Sequence, residues 1–228
     1  MINKEILGEI GIEDYHIHPR PDYADLDTLN KYISVLNKFG ISRIGFVEHG
    51  IRKNTKHKSI LFNKSTISNF ADVIHGVVPC ENMKIYAGIE VDYIGHTSEY
   101  LQYLNMINDS ELDYIIGSVH GHYDNYMDYL NDTIDMLKHY PIDVLGHFKI
   151  NEQYIKCCEM DQIFELLAEK KVIYEENLAP RYMSSDICKK YIENMITKYG
   201  IRKSIGSDAH CLGDLQLIYS DILCTRQK

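Results

Sequence analysis

Two short motifs stand near opposite ends of the chain: Asp14-Tyr15-His16-Ile17-His18 and Gly206-Ser207-Asp208-Ala209-His210. Each follows a short apolar, β-prone stretch. Residues i and i+2 of a strand point to the same side. His16 and His18 therefore project together from one strand end, and Asp208 and His210 do so from another. Two neutral imidazoles on one face suit a divalent metal, and an Asp-x-His arriving from far along the sequence would complete such a site.

The chain has 11 histidines. His16, His18, His49, His120, His147 and His210 all fall at or just past the ends of β-prone runs, and Glu90 and Asp208 join them there. Nitrogen and oxygen donors without sulfur suit Zn²⁺, Mn²⁺ or Fe²⁺ in a working site rather than a structural zinc. The set is too large for one ion, so two or three divalent ions bridged by a carboxylate are expected. Two metals about 4 Å apart clamp a phosphoryl group, activate water and stabilise the leaving oxygen. The other histidines read more simply. His57 and His75 lie in polar or irregular surroundings, and His96 follows a turn at Gly95. His139 closes a helix, where a cation suits the dipole. His122 lies near the site but beyond the ligands.

Such donors need a scaffold that brings strand ends together. Strands are predicted over Glu13–His18, Arg43–Glu48, Lys84–Val91, Tyr114–His120, Asp143–His147, Val172–Glu176 and Ser204–Asp208. Helices are predicted between them. Asp27–Phe39 carries Leu29, Tyr32, Ile33, Leu36 and Phe39 near a 3.6-residue period and ends at Gly40. Asp161–Lys170, Asp186–Tyr199 (ending at Gly200) and Asp128–His139 (stopped by Pro141) read the same way. Alternation of this kind implies an α/β fold with a parallel sheet and right-handed crossovers. An open sheet would string the polar strand ends along a line, whereas a barrel gathers them on one face. The barrel is the expected form.

With 228 residues, 45% hydrophobic and 25% charged, the chain is ordinary for a globular protein and long enough to bury a core. It has no apolar run of about 18 residues and no signal-peptide pattern at Met1–Glu5, so a cytoplasmic location and no membrane partner are expected. The six cysteines, Cys80, Cys157, Cys158, Cys188, Cys211 and Cys224, match no zinc or disulfide framework and read as reduced thiols. A net charge of −9 argues against a nucleic-acid groove. It leaves room for a small phosphorylated substrate, because bound metals reverse the local field.

The ordered motifs resemble a known family. His-x-His at 16 and 18, Glu48-His49, Gly88-Ile89-Glu90-Val91, Ser118-Val119-His120, Gly146-His147 and Gly206-Ser207-Asp208-Ala209-His210 look like the polymerase and histidinol phosphatase (PHP) superfamily, in particular its histidinol-phosphatase branch. The resemblance covers residues 12 to 210. It implies one PHP-type domain over 1–228, a distorted (β/α)7 TIM-like barrel with up to three metals at the strand C-termini. By that resemblance a first metal takes His16, His18, Glu90 and Asp208. Glu90 bridges to a second on His120 and His147, and a third takes His49 and His210. The family's further histidine after His-x-His is missing from Pro19–Asp25, where Asp22 or Asp25 would substitute. Arg181, a few positions after Asn177, is the expected phosphate clamp. Arg20 and His122 are further substrate-side candidates, and Arg52 and Lys149 are weaker ones. Glu48 would orient His49, or else pair with a neighbouring cation.

The expected function is hydrolysis of a small phosphate ester by metal-activated hydroxide. Histidinol phosphate, from histidine biosynthesis, is the favoured substrate. Arg181 would neutralise phosphoryl charge, and Asp208 or His210 would help protonate the leaving alkoxide. A PHP-type phosphodiesterase or nuclease is the alternative. Its only basic track is Arg52-Lys53-Asn54-Thr55-Lys56-His57-Lys58. A metal-dependent amidohydrolase ranks lower, since Glu90 and His120 stand where a bridging lysine is usual. A metal-binding regulator ranks last.

Overall fold

In a computed structural model of the protein, residues 13–19, 26–51, 63–78 and 82–226 are described, with side chains to 221. Seven strands alternate with helices: β1 (Glu13–Ile17), α1 (Leu26–Lys38), β2 (Arg43–His49), α2 (Lys64–His75), β3 (Lys84–Asp92), α3 (Ser98–Asn108), β4 (Tyr114–Ser118), α4 (Tyr126–His139), β5 (Val144–Leu145), α5 (Cys158–Lys170), β6 (Ile173–Asn177), α6 (Asp186–Tyr199), β7 (Lys203–Gly206) and α7 (Leu212–Arg226). All seven predicted strands are present, with β5 shorter than expected. The predicted helices are α1, α4, α5 and α6.

Neighbouring strands pair in parallel in chain order. The seam between β1 and the end of β7 is drawn together by Asp208 N donating to His16 O at 2.7 Å and His18 N donating to Ala209 O at 2.8 Å. Asp14 reinforces it, its carboxylate accepting Ser207 N at 2.9 Å and the Tyr219 hydroxyl at 2.8 Å. The result is a distorted (β/α)7 barrel, the architecture that the polar strand ends implied.

Local chemistry fixes the helix ends. Asn63 and Thr66 form a reciprocal capping box on α2. Ser185 caps α6 at its start, and Gly200, at φ 63°, closes it in the left-handed region. The apolar stripe Leu29, Tyr32, Ile33 and Leu36 of α1 is buried as its period predicts.

Two apolar layers hold the barrel. An outer one lies between strands and helices. An inner plug of Tyr15, Val47, Tyr114, Ile116, Val144 and Ile173 fills the barrel itself. Tyr114 donates its hydroxyl to Tyr15 O at 2.5 Å. A Cβ on Gly88 would stand 2.5 Å from the Tyr114 ring, and one on Gly45 would also collide with that side chain. Glycine at both positions makes room for the plug. Towards the strand C-termini, the next inward residues are polar: His49 after Val47, Glu90 after Gly88 and Glu175 after Ile173.

β1 breaks the alternation. Asp14 pairs with Ile44 and Ile17 with Phe46, so three steps on β1 oppose two on β2. This bulge inserts one residue and reverses the facing of the strand beyond it. Tyr15 joins the plug, Ile17 joins the outer layer, and His16 and His18 both reach the donor cluster inside the barrel. No described helix is long and apolar enough to cross a membrane.

Candidate metal centre

Glu90, on β3, is the hub. Its Oε1 lies 2.9 Å from His147 Nε2 and 3.5 Å from His120 Nε2. Its Oε2 lies 2.8 Å from His49 Nδ1, 3.5 Å from His18 Nε2 and 3.7 Å from His16 Nε2. One carboxylate thus faces two sets of imidazoles, as a bridging ligand does. His16 Nε2 and His18 Nε2 stand 3.1 Å apart, with Asp208 Oδ1 at 3.8 and 3.4 Å. His16 and His18 therefore stand between the Glu90 and Asp208 carboxylates, and His16 belongs to two groups of converging donors, one with His18 and Asp208 and one with Glu90 and His147. Donors bonded tetrahedrally at about 2.1 Å lie about 3.4 Å from one another, which is the spacing found here. His18 also sits between His49 and His210, its ring centroid 4.2 and 4.4 Å from theirs, while theirs are 5.9 Å apart. His18, His49 and His210 form a further group of converging donors, so His18 faces two groups rather than one.

Neighbouring acceptors set the imidazole tautomers. His16 Nδ1 donates to Glu175 Oε2 at 2.7 Å, His120 Nδ1 to Asp92 Oδ1 at 2.9 Å, and His210 Nδ1 to the Asp208 carbonyl at 2.9 Å. A carboxylate or carbonyl only accepts, so the proton sits on Nδ1 and the Nε2 lone pair is left for a ligand. Glu175 does more: its Oε1 accepts His147 N at 3.1 Å and Asn177 Nδ2 at 2.7 Å. These bonds hold a costly backbone. His147 (φ 26°) and Asp208 (φ 50°) are both left-handed, a region where side-chain-bearing residues store strain.

The electrostatics suit a cation. Burial pushes the Glu90 carboxyl up, but His49, His120 and their neighbours hold it well below the usual range. Burial acts the same way on Asp208, and again the imidazoles of His18 and His16 win. Burial pulls the His16 imidazole down, yet Glu175 and Glu90 raise it above its ordinary value. His18 is raised as well, Asp208 and Glu90 prevailing over burial. A field that draws protons onto buried imidazoles also favours divalent ions. Glu90 Oε2 and His18 Nδ1 are buried without an aligned hydrogen bond; His49 Nδ1 approaches that oxygen only as an ion-pair contact, which leaves the Glu90 oxygen open to an ion. The residues fit the metals expected of them.

The rim is built by the turn Pro180–Tyr182. Arg181 Nη2 bonds Asp208 Oδ2 and, at 3.3 Å, the Asp208 carbonyl, while its side chain remains 55% exposed. Tyr182 stacks on His147 at 4.5 Å and 7°. Arg181 and Lys149 each stand 5.0 Å from the Tyr182 ring centre. A cavity of about 490 Å³ opens beside Arg181, Tyr182, Asp208 and Glu175. A second of about 450 Å³ is walled by His120, Tyr123, Tyr126, Tyr129, Lys149 and Tyr154. His147 and Tyr182 border both.

All eight expected ligands thus meet at one end of the barrel. His16, His18, His49, Glu90, His147 and Asp208 are buried on its floor, whereas the side chains of His120 (32% exposed) and His210 (34%) form the rim. His122 is exposed on the loop after His120 and is not among the converging donors. Glu48 Oε2 accepts His49 N at 3.3 Å, so it touches the backbone of the residue it was expected to orient. Arg20, Asp22, Asp25, Arg52 and the basic stretch 52–58 lie outside the described residues, as does Cys80. The described cysteines Cys157, Cys158, Cys188 and Cys211 are free thiols. Sequence reasoning missed Glu175, Asp92 and Tyr182. Asp92 had a usable signal, standing at i+2 from Glu90 on the same strand face. Glu175 showed only as a strand-end carboxylate, and its bond to His16 spans 159 residues.

A family model described as PHP domain matches residues 14–201. No curated protein sequence matches the chain. Among solved structures, the fold is similar to a histidinol phosphate phosphatase from Lactococcus lactis complexed with zinc, L-histidinol and phosphate (TM-score 0.64, 16% identity, covering 95% of this chain and 93% of that one). It is similar to a protein from Listeria monocytogenes described as a histidinol phosphatase (TM-score 0.64, 17% identity, 92% and 99% covered). A protein from Acinetobacter baumannii described as a 2-pyrone-4,6-dicarboxylic acid hydrolase shares the fold more loosely (TM-score 0.55, 14% identity, 96% and 92% covered).

Proposed function

Because the chain belongs to the PHP domain family, we propose that it is a metal-dependent phosphomonoesterase whose substrate is histidinol phosphate, cleaved with water to histidinol and phosphate. The observation that carries this reading is the placing of His16 and His18 between two carboxylates, their Nε2 atoms 3.1 Å apart and each 3.4 to 3.8 Å from an oxygen of Glu90 and of Asp208, beside the Arg181 guanidinium. These residues, with His49, His120, His147 and His210 as further ligands, would hold divalent ions, which when bound would activate water and neutralise phosphoryl charge.

The chain's own side chains do the rest. Arg181 spends one nitrogen on Asp208 and keeps other N–H donors for a phosphate oxygen. Asp208, held ionised, aims that guanidinium and does not donate a proton; His210, its Nδ1 proton engaged by the Asp208 carbonyl, serves as a ligand, and the leaving alkoxide takes its proton from water. Glu175 and Asp92 keep His16 and His120 in the ligand tautomer. The tyrosine-walled cavity next to His120 and His147 suits a planar, partly polar leaving group, which an imidazole ring is.

Protein loaded with Mn²⁺ or Zn²⁺ is expected to release phosphate faster from histidinol phosphate than from a panel of other small monoesters, and not to cleave a phosphodiester. Loaded protein that releases no phosphate from any monoester would overturn the reading.

A further inference from the structure

A second cluster of potential metal ligands lies away from the barrel centre, built around two histidines outside the PHP motifs. His96 stands in the segment between β3 and α3. Asp135 and His139 stand one turn apart on α4, so both rise from the same helix face. Asp135 Oδ2 receives both His96 Nε2 and the Tyr93 hydroxyl in short contacts. His139 Nδ1 lies 3.2 Å from Asp135 Oδ1 and 2.9 Å from the Asp135 carbonyl. The His96 and His139 rings meet edge to face, 4.3 Å between centres. One ligand atom from each of the three residues lies within 4.8 Å of the other two.

We propose that His96, Asp135 and His139 form a surface site for a divalent transition-metal ion, distinct from the barrel centre. Two imidazoles and one carboxylate suit Zn²⁺, Co²⁺, Ni²⁺ or Cu²⁺, and are a poor set for Ca²⁺ or Mg²⁺, which want oxygen. Three features prepare the site. First, its loop is already fastened: Tyr140 donates its hydroxyl to Gly95 O at 2.7 Å and accepts Ile94 N at 3.1 Å. His96 is therefore presented to α4 with little ordering left to do. Second, His139 closes α4, and the carbonyl end of a helix favours positive charge. Third, the Asp135 carboxylate is aimed between the two imidazoles, one oxygen facing His96 and the Tyr93 hydroxyl and the other 3.2 Å from His139 Nδ1. The donors are open to an arriving ion, with His96 and Asp135 each 33% and His139 50% exposed. Three protein donors leave at least one position for water, so an ion there exchanges readily and lies outside the phosphatase site.

The same contacts in a purely hydrogen-bonded network would hold no ion, and metal counting separates the two. Wild-type protein and the His96→Gln/His139→Gln variant are dialysed against Zn²⁺ at a concentration that saturates wild type, and bound zinc is measured per chain. Wild type is expected to hold one ion more than the variant. Asp135→Asn, which keeps the side-chain shape, is expected to lose the same ion. Added Zn²⁺ is expected to raise the melting temperature of wild type by several degrees more than that of either variant. A measurement on unaltered protein guards against misfolded variants: with the barrel preloaded with Zn²⁺, one equivalent of Cu²⁺ should give an electron paramagnetic resonance signal with coupling to two imidazole nitrogens. Equal zinc counts in wild type and folded variants, or a copper signal without imidazole coupling, would overturn the site.

Discussion

Glu175 shows how a buried residue outside the converging donors shapes the centre. Its two oxygens hold the His16 ring, the His147 backbone and Asn177 together. Partners of this kind contribute about 10- to 100-fold in metal affinity. Glu175→Gln is therefore expected to weaken ion binding by that order, read by competition with a chelating dye. Asp92→Asn, acting on the half-open His120, should cost less, because water can replace the lost acceptor. At the phosphate, Arg181→Ala is expected to lower kcat/KM by about 100-fold or more, as loss of a charged donor at a transferring phosphoryl group does, with zinc content unchanged in a metal assay. The convergence of these eight side chains was legible because histidine and carboxylate at successive strand ends is a rare pattern. Tyr182 was not, since a tyrosine after a proline turn carries no signal until its stack on His147 is seen.

Strands and their order were legible at the level of elements, because short β-prone runs alternate with helical periods. The bulge in β1 was not. It shows only as a slip between Asp14 and Ile17 against β2, and nothing in the residues Tyr15 and His16 announces that both should face inward. The i, i+2 rule placed His16 and His18 together correctly, but it would have sent Tyr15 outward. β5 came out shorter than its apolar run suggested because the chain turns at Gly146 into the left-handed His147. β7 supplies a sharp test of the packing between elements. A Cβ on Gly206 would stand 2.7 Å from His16 Cβ and 2.9 Å from Glu175 Cδ. Gly206→Ala must push β7 away from β1 or turn the His16–Glu175 pair. The expected outcome is a loss of about 1–3 kcal/mol in stability, typical of overpacking, together with weaker metal binding. Denaturant melts and metal titration check the two effects separately.

For the whole molecule, ions and fold are linked. The centre gathers Glu90, Glu175 and Asp208 among buried imidazoles, with Glu90 Oε2 unsatisfied. Removing divalent ions with a chelator is expected to lower the melting temperature by several degrees, and returning Zn²⁺ or Mn²⁺ to restore it, as scanning calorimetry would record. Overlap with fold relatives at 14 to 17% identity shows the barrel and not the substrate, so substrate choice rests on the cavities at Arg181 and the tyrosine wall. The seam between β1 and β7 has one more consequence, in time rather than space. His16 and Asp208 meet across it, so a growing chain carries His16 and His18 through the making of five further strands before β7 and Asp208 arrive. The donor set closes only when β7 docks, after the slow search that long-range pairing requires. The ion that needs Asp208 therefore waits for β7 to dock, and a chain halted before β7 will be recognisable by holding fewer ions than the full barrel.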